Sequence, residues 1–135
     1  MTTHHLNVDG LKKFAPLRKL NEQQLILLGT KDEVKLYKKK QVVLAAGSSD
    51  NIEYFLIKGK LKLTANDGRS MVIDSQSKTA ENAIAHLQPR QYTVEALENT
   101  AMLLIDWSIL AHFIREALRS LKTVRTIKNS RLRKS

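Results

Sequence analysis

Leu11, Phe14, Leu17 and Leu20 recur at spacing three near the start of the chain, which predicts a helical segment, and Pro16 breaks that segment into short turns. Asn21 precedes Gln24 by three residues, a variant capping box that opens a second helix through Leu25, Ile26 and Leu28 and closes near Gly29. From Val34 the period shortens. Val34 and Leu36, then Val42 to Leu44, form brief apolar stretches separated by Lys38-Lys39-Lys40 and followed by the turn Gly47-Ser48-Ser49-Asp50. Ile52 to Ile57 reads as a strand ending at Gly59, and Leu61 and Leu63 alternate with Lys60 and Lys62 as a strand with one wet face does. Asn66-Asp67-Gly68 is a hairpin turn that returns the chain through Met71 to Ile73.

Residues 74–80 are polar and loop-like, and Glu81 to Leu87 reads as a helical turn or two, stopped by Pro89. Two further strands, Tyr92 to Leu97 and Ala101 to Ile105, flank the turn Glu98-Asn99-Thr100. Asp106 or Ser108 then caps a final helix whose apolar positions Leu110, Ile114, Ala117, Leu121 and Val124 follow a 4-3-4-3 spacing. The pattern predicts a mainly β domain with flanking helices, occupying residues 1–135 as one unit. The strands span about 34–106 and the last helix about 108–127.

Composition narrows the function classes. The chain has no cysteine, which excludes disulfides, thiolate nucleophiles and zinc-thiolate sites and suits a reducing compartment, so the expected location is the cytoplasm. No apolar run approaches the roughly 18 residues of a membrane span, and Met1 to Asn7 lacks the apolar core of a signal peptide. The net charge of +10 is concentrated at one end: from Arg115 onward there are eight basic residues against Glu116 alone. Such a tail could touch phosphate backbones, but it has no interleaved aromatics and leaves no room for a helix-turn-helix, which argues against sequence-specific DNA recognition.

The segment from Gly47 through Asp50, Tyr54-Phe55-Leu56-Ile57 and Gly59 to Leu63 resembles the strand-turn-strand signature of the cyclic-nucleotide-binding domain family. That family includes the sensor half of the catabolite activator protein and the regulatory subunits of cAMP-dependent kinase. The resemblance extends over about residues 10–120. It implies a double-stranded β-helix, a jelly-roll-like β-roll, with helices at either end.

A second match is to the family's phosphate-binding cassette: Ala80-Glu81-Asn82-Ala83-Ile84, then Pro89-Arg90-Gln91-Tyr92-Thr93-Val94. By resemblance, Arg90 pairs with the exocyclic oxygens of a cyclic phosphate and Glu81 accepts from a ribose 2′-hydroxyl. The amides of Ala83 and Gln91 complete the cradle, and the ligand would be cAMP or cGMP. The chemistry is apt, since a planar guanidinium with nearby amides receives a permanent anion while a carboxylate beside it selects a hydroxyl. The cassette departs from the family where Ala80 replaces a glycine, Thr79 an aromatic, and Gln76-Ser77-Lys78 a glycine and an acid. If the glycine's backbone needs positive φ, alanine costs on the order of 1 kcal/mol.

Two readings follow. One is a regulatory domain that binds a cyclic nucleotide, or a related anion such as a cyclic dinucleotide, and relays occupancy through the C-terminal helix to a protein partner or a second copy. The other is a pseudo-receptor that kept the fold, lost the ligand and works as a dimerisation or interaction module. No catalytic constellation emerges: Ser48-Ser49-Asp50 has no histidine beside it, and His4, His5, His86 and His112 lack metal-ligand spacing. Trp107, the single tryptophan, is expected to lock the last helix onto the body.

Overall fold

The computed structural model describes residues 7–86 and 89–119. Its N-terminal part is helical: α1 (Val8–Leu11), a 3-10 helix (Ala15–Lys19) with Pro16 in its first turn, and α2 (Glu22–Gly29). Asn21 accepts from the Gln24 amide at 2.8 Å while Gln24 Oε1 accepts from the Asn21 amide at 3.0 Å, so the expected capping box is complete. Seven strands follow among the described residues: β1 (Glu33–Tyr37), β2 (Val42–Leu44), β3 (Ile52–Lys58), β4 (Lys60–Ala65), β5 (Ser70–Asp74), β6 (Tyr92–Ala96) and β7 (Thr100–Asp106). The last helix, α3, is described over 107–119 and is capped by Asp106, whose Oδ1 accepts from the Ser108 amide at 2.8 Å.

The strands form two antiparallel sheets, β1-β7-β3 and β2-β6-β4-β5. The chain crosses from the first sheet to the second at Gly59, the single residue between β3 and β4. Its φ is +113°, and a Cβ there would lie 2.5 Å from Thr100 Oγ1 and 2.9 Å from Thr100 Cα. Only glycine fits this corner.

Strand periodicity divides the interior into two cores. Tyr54 and Leu56 of β3 and Met102 of β7 point into the roll, where they meet Leu61, Leu63, Ile73, Ile84 and Val94. The alternate residues, Phe55 of β3 with Leu103 and Ile105 of β7, point outward and are covered by Leu11, Phe14, Leu17, Leu25 and Leu28 from the N-terminal helices and Leu110 and Phe113 from α3. β3 and β7 are therefore buried on both faces, whereas β1 is mostly exposed, which explains why β3 reads as an almost unbroken apolar run.

Two sequence expectations change. The helical turn placed at Glu81 to Leu87 is instead a 3-10 turn over Lys78–Glu81, followed by a left-handed Ala85 at φ +50°. Ala80, Ile84 and the Tyr54 carbonyl explain the shift: Ala80 and Ile84 are buried in the roll, and the Ile84 amide donates to Tyr54 O at 2.7 Å, which pulls the chain out of helical geometry. Trp107 is 40% exposed, so it walls a surface cleft rather than filling the core. In the α3 stripe, Leu110 is buried and Ile114 and Ala117 are partly buried, whereas Leu121 and Val124 lie outside the described residues. Phe113, off that stripe, is the other buried anchor. Among the described residues no helix is long and apolar enough to cross a membrane.

Candidate functional site

Arg90 stands just before β6, and its main chain is stitched to the turn at 47–48. The Gly47 amide donates to Arg90 O at 2.7 Å, and the Arg90 amide donates to Ser48 O at 2.8 Å. This pairing brings the side chain beside Asp50. The Arg90 side chain has no exposed surface, and its Nη1 donates to Ala85 O at 2.7 Å. Nη2 donates to Asp50 Oδ1 at 2.5 Å and to Ile52 O at 2.7 Å. The guanidinium carbon lies 5.4 Å from the centre of the Tyr54 ring, within cation-π range. Nε is buried without a hydrogen-bond partner.

A buried guanidinium requires a counter-charge, because an isolated cation in a low-dielectric interior is costly. Asp50 supplies it. Burial pushes the Asp50 carboxyl up, but the hydrogen bond from Arg90, the Ile52 amide, the Arg90 charge and the Tyr54 hydroxyl together outweigh burial and hold it below the usual range. Tyr54 donates to Asp50 Oδ2 at 3.2 Å, and burial followed by the Asp50 charge raises its phenol. Tyr37, in the same core, is pushed up to about 12, first by burial and then by Tyr54, Glu33 and Asp50.

Glu81, the expected partner of Arg90 in holding a ribose, faces elsewhere. Its Oε1 accepts from Arg18 Nη2 at 2.6 Å, and Arg18 also donates to the carbonyls of Lys12 and Lys13. The carboxylate thus ties the cassette segment to the N-terminal helices. Ala83 packs on the helix side of the β1-β7-β3 sheet, and Gln91 is exposed, its side-chain amide donating to Pro89 O at 3.2 Å. The structure gives Arg90 and Glu81 separate partners, one in the roll and one at its outer surface.

Asp50 is the residue that sequence reasoning left as turn chemistry. It lies 40 positions from Arg90, so no local spacing joins them. Glu53 also went unnoticed, although a lone acid inside Ile52-Glu53-Tyr54-Phe55-Leu56-Ile57 is a legible signal. Its side chain is 7% exposed, and both oxygens lie against His86 Nδ1, at 2.8 and 3.1 Å.

Residues 34–117 match the sequence profile described as Cyclic nucleotide-binding domain. No curated protein matches the chain. Among solved structures, the sensor domain of the transcriptional regulator DNR from Pseudomonas aeruginosa superposes with a TM-score of 0.66 at 16% identity, covering 87% of this chain and 91% of that one. The N-terminal domain of a transcriptional regulator from Streptomyces coelicolor A3(2) gives 0.64 at 21% identity, over 92% and 94% of the two chains. The regulatory domain of Toxoplasma gondii PKA, solved with cAMP, gives 0.66 at 14% identity, over 87% of this chain and 47% of that one. At these identities the likeness is one of fold.

Proposed function

The chain belongs to the cyclic nucleotide-binding domain family, and from that premise we propose that it is a regulatory interaction module whose anion site is closed by its own Asp50. The observation that carries this reading is that both terminal nitrogens of the Arg90 guanidinium already have partners within the chain. Both terminal nitrogens are committed to Asp50, Ile52 O and Ala85 O, inside a roll packed with Leu56, Leu61, Leu63, Ile84 and Val94. A cyclic phosphate would have to displace a carboxylate of the same sign that is already in contact. Binding would exchange one anion for another, so the phosphate contact with Arg90 is offset by the Asp50 contact that it replaces.

Supporting observations come from the rest of the cassette. Glu81 is engaged by Arg18, and Ala80 is sealed in the roll core. In this reading the output is a surface, centred on α3, to which a protein partner or a second copy docks. Leu118 on α3 is half exposed, consistent with an uncovered apolar position on that helix.

One observation favours a second reading. Arg90 Nε is a buried donor without an acceptor, and Asp50 keeps 35% exposure, so a cyclic nucleotide could expel Asp50 to solvent and take both Nε and Nη2. In that reading the domain is a ligand-operated switch, and cAMP or cGMP is its ligand.

Calorimetric titration with cAMP and cGMP, combined with light scattering, separates the two. The interaction-module reading expects no binding heat from the unmutated chain and an oligomeric state indifferent to nucleotide. Saturable binding that disappears in Arg90→Ala would overturn it in favour of the switch.

A further inference from the structure

On the helix side of β3, across the sheet from the roll interior that holds Arg90, a cleft of about 340 Å³ opens between the cassette segment, the N-terminal 3-10 helix and α3. Its walls are mostly apolar, formed by Pro16, Ala83, Trp107, Leu110 and Ile114 with the amide of Asn82 among them. Glu53 lies at its base and His86 at its side. We propose that this cleft binds a small organic cation, a primary ammonium group carried on an apolar body.

The argument begins with Glu53. A carboxylate that is 93% buried needs positive charge or several donors, and its partner among the described residues is the His86 ring. One imidazole nitrogen offers a single hydrogen, whereas a carboxylate has about four acceptor positions. Capacity to accept therefore remains at the base of the cleft. An ammonium group has three donors and a full charge, and it satisfies such a carboxylate better than a half-exposed imidazole does.

The walls fix the remainder of the ligand. Trp107, Leu110 and Ile114 line one side of the cleft and Pro16 and Ala83 also face it, which suits an aliphatic or aromatic body of a few carbons. The Trp107 ring lies 5.9 Å from the His86 ring in an edge-on arrangement, so a head group entering beside His86 passes close to an aromatic surface that favours cations. An anionic ligand would meet the Glu53 charge, and a neutral one could donate a hydrogen bond but would bring no counter-charge. The side chains of the cleft are not those that hold Arg90, so the proposal does not rest on a nucleotide binding there. The cleft lies where α3 meets the cassette segment, so an occupant would bear on both.

The protein carries its own reporter, because Trp107 is its one tryptophan. Trp107 fluorescence is titrated at pH 7.5 with hexylammonium, 1-hexanol and hexanoate. The expected result is a saturable change with hexylammonium at a dissociation constant about tenfold or more below that of hexanol, with hexanoate weakest. Glu53→Gln should bring the ammonium and the alcohol to within about twofold of each other. Ala83→Leu, which fills the cleft while retaining Glu53, should weaken both and guards against misfolding of the first variant, with circular dichroism as the check on fold. Equal affinity for hexanol and hexylammonium, preference for hexanoate, or no saturable change in the unmutated chain would each overturn the proposal.

Discussion

Arg90 reaches Asp50 at 2.5 Å from a side chain with no exposed surface, while Asp50 itself remains 35% exposed. The pair is therefore asymmetric. Removing the acid strands a cation with no route to water, whereas removing the cation leaves an acid that solvent can still reach. Cutting one partner from a fully buried pair costs roughly 3–5 kcal/mol. The partial exposure of Asp50 and the two carbonyls that also hold Arg90 bring the expectation for Asp50→Ala down to about 2 kcal/mol. Asp50→Asn, which keeps an acceptor oxygen, should cost about half as much. Urea unfolding at pH 7 measures both, and equal losses for the two variants would show that an acceptor oxygen at position 50 gives Arg90 no support.

The same pair makes a prediction about acid. Burial raises the Asp50 carboxyl, yet contacts from Arg90, Ile52 and Tyr54 outweigh it and leave it depressed in the folded state. A depressed carboxyl adds stability at pH above its unfolded value, near ~3.9, and loses that contribution as pH falls through the folded value. The stability gap between the unmutated chain and Asp50→Asn should thus stay constant from about pH 7 to 5 and narrow below about pH 4. A gap that persists unchanged into stronger acid would show that the pairing is not ionic.

Tyr37 governs the alkaline side. With its phenol pushed up to about 12 by burial and then by neighbouring Tyr54, Glu33 and Asp50, the folded chain retains a proton that the unfolded chain releases near its ordinary value of 10. Its contribution is complete below pH 10 and is lost as pH rises from there toward 12. Denaturant melts across this interval should show a steeper decline for the unmutated chain than for Tyr37→Phe. Parallel declines would remove Tyr37 as the cause.

The corner at Gly59 gives a prediction about backbone rather than charge. Gly59→Ala combines φ +113° with a Cβ driven to 2.5 Å from Thr100 Oγ1, and should cost about 3 kcal/mol or more. Gly68→Ala serves as the comparison: its φ is +91°, nothing lies within 4 Å of the added carbon, and only the conformational penalty of about 1 kcal/mol applies. Thermal melts of the two variants should therefore separate clearly. Similar losses would mean that contact with Thr100 is relieved by small adjustments.

The sequence carried the architecture well because its local codes are strong. The capping box at Asn21 and Gln24, the alternation of Leu61 and Leu63 with lysines, and the Asn66-Asp67-Gly68 turn each specify their element without tertiary help. The family match over 34–117 accords with the resemblance read from the strand-turn-strand segment. The functional groups were harder to read, for a physical reason. Arg90 could be singled out by its place after Pro89, but its partner is set by which loop folds over it, and the Gly47 and Ser48 backbone bonds that bring Asp50 there leave no periodic trace. Glu81 likewise carries no local sign that Arg18, 63 positions earlier, reaches it. The turn falls at Lys78–Glu81 and not at 81–87 because burial of Ala80 and Ile84, a tertiary demand, decides where the helix stops.

The outer core joins both ends of the described chain on one sheet face. Phe14 rests on Phe55 with ring centres 5.0 Å apart, Leu110 and Phe113 of α3 enter the same cluster, and the Gln24 side chain donates to Phe113 O at 3.0 Å. Neither helical end can be peeled away without baring apolar surface that the other end shares. A partner that tugs on α3 thus pulls on α2 as well, and the two would respond as a single clasp with the rolled strands as its anvil.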